Sequence, residues 1–237
     1  MRLSHIQNSR SPLRLILASS LALACLAMAA STAEAASLTL YKNSLQTSTG
    51  RKNIKQFNGS ARCDTSGTKS FRVEVGKKTK ECAFRVPYPG RSVGLGATAR
   101  LFESTPKKVK AQTYLAVSIR QDTDGSRYQI CVFPSGKRFQ LRKIYPNGKI
   151  KDLDHGKAGK VGGFGEANRM FLRAYINNRG EAGIVATVNG KRLSAVTDPR
   201  GNELEGQDTT FSIGNKRSAR GAKGSFVKLI GTAPDPF

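Results

Sequence analysis

Acidic residues are scarce in this chain: 16 Asp and Glu stand against 40 Lys and Arg, for a formal net charge of +24. A field of that sign concentrates anions and steers polyanions toward the surface, and it also keeps an exported protein in solution. Histidine and cysteine are few as well. Beyond residue 35 the histidine is His155, and Cys63, Cys82 and Cys131 lack the paired two-residue spacing of a structural metal site. Neither a metal nor a cofactor is expected. No apolar run after residue 35 reaches the ~20 residues that a membrane-spanning helix requires.

What is present begins with a leader. Arg2, Arg10 and Arg14 precede an apolar run from Leu15 to Ala30, and Ala33-Glu34-Ala35 forms a small-residue exit. This is the build of a secretory signal peptide over residues 1–35. Leu21 to Cys25 approaches a lipoprotein box, but its leucine and small residues stand one place out of register. The leader holds three arginines and one glutamate, so residues 36–237 keep +22. They are sized for a single domain, expected to be secreted or in the cell envelope. Export permits disulfides. Cys63 and Cys82 bracket the strand Phe71 to Val75 and are the expected pair, a closure worth about 3 kcal/mol in the chain-entropy account. Cys131, inside an apolar strand, reads as a small buried hydrophobe.

Alternation with a period of two runs through the mature chain. Phe71, Val73 and Val75 share one face, as do Leu115, Val117 and Ile119, then Tyr128, Ile130 and Val132, then Phe139 and Leu141. Val93 to Leu101 sets Leu95, Ala97 and Ala99 inward and Gly94, Gly96, Thr98 and Arg100 outward, glycines that let something approach the sheet closely. Met170, Leu172, Ala174 and Ile176 form another face, followed by Ile184, Ala186 and Val188, then Leu193 and Ala195. Asn147-Gly148 and Asn189-Gly190 predict two-residue hairpins with positive φ at both turn positions. Residues 42–69 and 154–166 read as long loops, and Glu166 to Arg173 taken alone also fits a helix. About a dozen short strands at roughly even spacing predict an all-β, two-sheet antiparallel β-sandwich.

The order Asn168-Arg169, Val188-Asn189-Gly190-Lys191, Ala195-Val196-Thr197-Asp198 resembles the late strands of the concanavalin A-like lectin/glucanase superfamily. The resemblance extends over roughly Phe71 to Ile230 and implies a jelly roll of the kind shared by secreted carbohydrate-binding modules. Glucanases of that superfamily carry a Glu-x-Asp-x-x-Glu or Glu-x-Asp-x-Glu run, whose alternate carboxylates act on the scissile bond. This chain has none, so no catalytic residue is assigned and a non-catalytic module is expected. Asp152 and Asp154, beside His155, are the nearest approach to a carboxylate pair, and a glycoside hydrolase acting through one of them is the remaining alternative. Asp122-x-Asp124-Gly125 hints at calcium, although a hairpin turn explains the same residues.

The sharpest binding signal is the interleaving of cations and aromatics between Lys137 and Lys151. Arg138, Arg142, Lys143, Lys149 and Lys151 crowd two hairpins with Tyr145 among them, and Tyr88 is displayed in the turn Pro87-Tyr88-Pro89-Gly90. Such cations suit phosphates, sulfates or carboxylates while a tyrosine stacks on a sugar. The expected partner is a polysaccharide or an anionic cell-envelope polymer, with purely electrostatic adhesion to polymer or lipid as the rival. Nucleic acid is not the expected partner, because no nucleic-acid motif accompanies the basic residues and export removes the chain from chromosomal DNA.

Overall fold

The computed structural model describes residues 39–58, 61–86, 94–216 and 221–233. The leader and the turn bearing Tyr88 lie outside the described residues. Fifteen strands are present among those described: β1 (Thr39–Ser44), β2 (Lys55–Gln56), β3 (Cys63–Ser66), β4 (Phe71–Val75), β5 (Glu81–Arg85), β6 (Gly94–Leu101), β7 (Thr113–Gln121) and β8 (Arg127–Phe133) in the first half. The second half supplies β9 (Arg138–Ile144), β10 (Ile150–Lys157), β11 (Asn168–Ile176), β12 (Ala182–Val188), β13 (Lys191–Asp198), β14 (Asp208–Asn215) and β15 (Lys223–Thr232). Two short helices interrupt them, α1 (Ser48–Lys52) and α2 (Lys107–Lys110).

The strands form two antiparallel sheets. One runs β13-β12-β11-β6-β15-β4-β3, with β1 paired to the later part of β15; the other runs β10-β9-β8-β7-β14-β5-β2. Alternation puts Leu95, Ala97, Leu172, Ala174 and Ile184 of the first sheet against Leu115, Val117, Ile130, Leu141 and Ile213 of the second. At the centre, Phe71 and Phe226 of the first sheet meet Phe84 and Phe211 of the second. Phe71 stands edge-on to Phe84 at 4.9 Å between centroids, and Phe226 edge-on to Phe211 at 4.6 Å. Truncating one of these rings to alanine costs about 3–5 kcal/mol. The disulfide joins Cys63 to Cys82 as expected, and it ties β3 of one sheet to β5 of the other. Cys131 is free and buried.

Four local expectations need correcting. Residues 42–69 are not one long loop, because α1, β2 and β3 fall within them and both strands pair with the sheets. Asp154 to Lys157 belong to β10, so the loop that follows is shorter than composition suggested. At Asn147-Gly148 only the glycine has positive φ, 75°. Tyr145 N–H donates to the Lys149 carbonyl and Gly148 N–H to the Tyr145 carbonyl, giving a longer hairpin loop closed by a left-handed glycine. Asn189-Gly190, with φ of 50° and 77°, is the tight turn expected. Finally, Leu193 and Ala195 do not share the inner face. A bulge opposite Ala186/Thr187 leaves Leu193 unpaired, so the alternation slips, Ser194 is buried and Ala195 exposed. Glu166 to Arg173 resolves as strand from Asn168 onward, its inner face occupied by Met170 and Leu172.

Candidate functional site

The basic stretch Lys137 to Lys151 is dispersed by the fold. In β9, Phe139 and Leu141 point into the core, and the same alternation sends Lys143 inward to 0% exposure. Its Nζ donates to Asp198 Oδ2 at 2.8 Å, to Glu203 Oε2 at 2.8 Å and to the Arg200 carbonyl at 2.7 Å. The Tyr128 hydroxyl donates to the same Asp198 oxygen at 2.7 Å. Burial pushes the Asp198 carboxyl up, but the Lys143 and Tyr128 hydrogen bonds outweigh it and hold the group below the usual carboxylate range. Lys143 is thus committed to an internal clamp between the sheets and is closed to ligand.

Arg142 points the other way, onto the outward side of the second sheet, and is also buried. It donates to Gln129 Oε1 and lies near the Tyr114 hydroxyl. Glu81 accepts from Arg127, Gln129 and Ser212 in the same network. Burial raises the Glu81 pKa, yet Arg127, Arg142 and the two neutral donors bring it below its ordinary value. Burial pushes the Cys131 thiol up to about 11, which leaves it a poor nucleophile. Arg138 is exposed, with its guanidinium 5.4 Å from the Phe133 ring centroid. Tyr145, Lys149 and Lys151 do come together at the β9–β10 hairpin, where they line a shallow cavity of about 550 Å³ with Ile150 and Arg200. A bulge separates Asp152 from Asp154; Asp152 accepts from Gln140, and Asp154 accepts from the backbone N–H of the next residue, His155. Asp122 and Asp124 accept from the backbone N–H groups of Thr123 and Ser126 and so close their own turn.

A more open surface lies on the outward side of the first sheet. Along β11 the residues facing away from the core are Arg169, Phe171, Arg173 and Tyr175, the complementary register to the buried Met170, Leu172 and Ala174. Cation and aromatic alternate along one strand. Phe171 pairs with Gly96 of β6, and Tyr175 pairs with Gly183 of β12. A Cβ on Gly94 would come within 2.6 Å of Phe171 Cζ, and one on Gly183 within 2.0 Å of Tyr175 Cζ. Both rings are therefore laid down on glycine backbone, shielding it with one face and presenting the other outward. The close approach anticipated for Gly94 and Gly96 comes from within the protein. Four residues of strand separate the two rings by about 13 Å, too far for one sugar ring to cover both.

Around Phe171 is a groove of about 690 Å³, whose floor is Gly96 and Thr98 and whose walls include Lys42, Arg169, Thr187, Lys228 and Ile230. Register explains the assembly: Lys228 pairs with Thr98, Thr98 with Arg169, Ile230 with Gly96 and Lys42 with Ile230. Strands from both ends of the chain and its middle thus bring three cations around one aromatic. No Asp or Glu is among the described lining residues. Arg169, Phe171, Arg173 and Tyr175 stand opposite the apolar half of β11, the half that identifies the strand, and so are not among the expected site residues. The signal was the other half of the same alternation.

No family model matches the chain, and no curated protein matches it. Solved structures do. A Bacillus subtilis protein of unknown function with a galectin-like fold is similar at a TM-score of 0.57 and 12% identity, over 82% of this chain and 95% of that one. The fold is the concanavalin A-like lectin-type sandwich. The carbohydrate-binding module CBM66 from Bacillus subtilis is similar at a TM-score of 0.53 and 10% identity, over 76% of this chain and 95% of that one. An endo-beta-1,4-glucuronan lyase from the fungus Trichoderma reesei is similar at 0.53 and 11%, over 83% and 96%.

Proposed function

We propose that the protein is a secreted, non-catalytic module that binds an extended polysaccharide or another cell-envelope polymer bearing acidic groups, along the outward face of β11. The observation that carries this reading is the row Arg169, Phe171, Arg173, Tyr175, with both rings seated on glycine and, around the first, a groove with no carboxylate among its described lining residues. Aromatic faces take up the apolar side of sugar rings. Arginine forks bind carboxylates or ester oxyanions between them. The charge of +22 on residues 36–237 favours an acidic polymer and its rapid capture. Similar folds occur in a carbohydrate-binding module and in an enzyme named for glucuronan, which agrees with a glycan ligand. The inter-sheet disulfide accords with export. Among the described residues no helix is long and apolar enough to cross a membrane.

The deciding experiment is binding of the full chain to neutral and acidic glycans at low and high salt, with Phe171→Ala and Tyr175→Ala beside the wild type. Stacking persists when screening removes long-range attraction. Retention at high salt that either substitution abolishes supports the reading. Binding only to acidic polymers, lost on adding salt and indifferent to both rings, would replace it with electrostatic adhesion.

A further inference from the structure

Next to the groove, on the same outward face, two arginines share one aromatic ring. Arg72 of β4 and Arg100 of β6 both pair with Ser225 of β15, so the hydroxyl residue lies between them on adjoining strands. Each guanidinium carbon sits over Phe102, at 5.8 Å and 5.7 Å from the ring centroid. Neither arginine makes an ion pair with a described residue, and the carboxylate one row away, Glu74, is held by Lys223 at 3.1 Å. Between the two cations Ser225 is 0% exposed, yet its Oγ has no hydrogen-bond partner among the described residues. A buried hydroxyl without a partner is uncommon, because it forgoes a bond that water supplied in the unfolded chain.

These features converge on one chemistry. A guanidinium resting on a ring keeps its in-plane N–H fork free for an acceptor. Two forks from either side and one hydroxyl from the sheet below give three donor directions that do not share a plane. A planar carboxylate offers its lone pairs in one plane, whereas a tetrahedral oxyanion has oxygens in all three directions. We propose that Arg72, Arg100 and Ser225 form a subsite for a tetrahedral oxyanion, a sulfate or phosphate ester carried by the polymer that the neighbouring groove binds. The subsite rests on that glycan-binding reading and narrows its ligand class. Arg100 is two residues from Thr98 of the groove floor, about 7 Å along the strand, so one chain can reach both.

The test titrates the full chain with dextran sulfate, dextran phosphate and polygalacturonate at fixed ionic strength. R72Q/R100Q is compared with K107Q/K108Q, which removes the same charge from exposed lysines of α2. R72Q/R100Q should weaken the ester polymer by about tenfold beyond the lysine control, the expected scale for lost charge-assisted hydrogen bonds at an exposed site. Whichever of dextran sulfate and dextran phosphate responds identifies the ester, and S225A should cause a smaller loss of the same selectivity. Polygalacturonate should weaken equally in both double variants. Equal losses for R72Q/R100Q and K107Q/K108Q on both ester polymers would overturn the subsite while leaving F171A to judge the groove. If F171A changes none of the three polymers but R72Q/R100Q shows its selective loss, the groove reading fails and the oxyanion site stands alone. Unchanged melting temperatures establish that each variant is folded.

Discussion

Replacing Lys143 with methionine separates a structural cation from a ligand-binding one. Methionine keeps most of the side-chain volume and removes the charge. In the folded protein Asp198, 1% exposed, would then keep only the Tyr128 hydroxyl and the Arg200 N–H as donors. Removing one partner of a buried ion pair costs about 3–5 kcal/mol, because the remaining charge is left without compensation. Glu203 adds little, since its side chain is 34% exposed and solvent screens the pair. For a domain of this size the loss corresponds to a fall in melting temperature of roughly 10 °C. Thermal and urea unfolding followed by circular dichroism would measure it. The double variant K143M/D198N should be less destabilised than the sum of the single changes, since it removes the stranded charge. A K143M protein melting within about 2 °C of wild type would refute the clamp. If that same protein lost affinity for acidic glycans, Lys143 would be a ligand contact after all.

Acid should weaken the fold through Asp198 and Glu81, whose folded-state pKa values lie below their ordinary ones. A depressed folded pKa contributes stability that is complete above the unfolded carboxylate value, near pH 4, and is lost as pH falls toward the folded value. Urea midpoints should thus hold at mildly acidic pH and drop below it, and a midpoint unchanged down to pH 3 would contradict both networks. Cys63→Ser/Cys82→Ser should lower stability by about 3 kcal/mol, given the 19-residue separation, measured by urea unfolding against the oxidised wild type. Gly183→Ala places a methyl where Tyr175 Cζ now sits, 2.0 Å from the ideal Cβ. The ring can swing away, so glycan affinity should fall severalfold with little change in melting temperature; equal affinity would show that the seated ring is not needed.

Most of the fold was legible because a sandwich with one buried face per strand writes a period of two into its sequence. Phe71 to Val75, Leu115 to Ile119, Tyr128 to Val132 and the inner half of β11 all occupy the faces their alternation predicted. The Cys63–Cys82 bridge followed from spacing and export. Legibility failed where one residue breaks the period. The bulge at Leu193 reverses the faces of β13, and alternation cannot announce an unpaired residue. Lys143 is a different case: extending Phe139 and Leu141 by one step places it in the core, whereas its charge points to the surface. What permits its burial is Asp198, 55 residues away in sequence and in the other sheet.

The sequence by itself determined most of the strands, most of the inward apolar residues, the tight turn at Asn189-Gly190, the disulfide pair and the excess of positive charge. Each is a local or compositional property, fixed by side-chain periodicity, backbone φ preference or a simple count. Only the tertiary structure decided where that charge is usable. It consigned Lys143 and Arg142 to buried networks, set Phe171 and Tyr175 down on glycines of neighbouring strands, and gathered Lys42, Arg169 and Lys228 around one groove. The reason is physical. Strand order and register place residues far apart in sequence about 5 Å apart across a sheet, and the short-range pattern of any one strand carries no record of its neighbour.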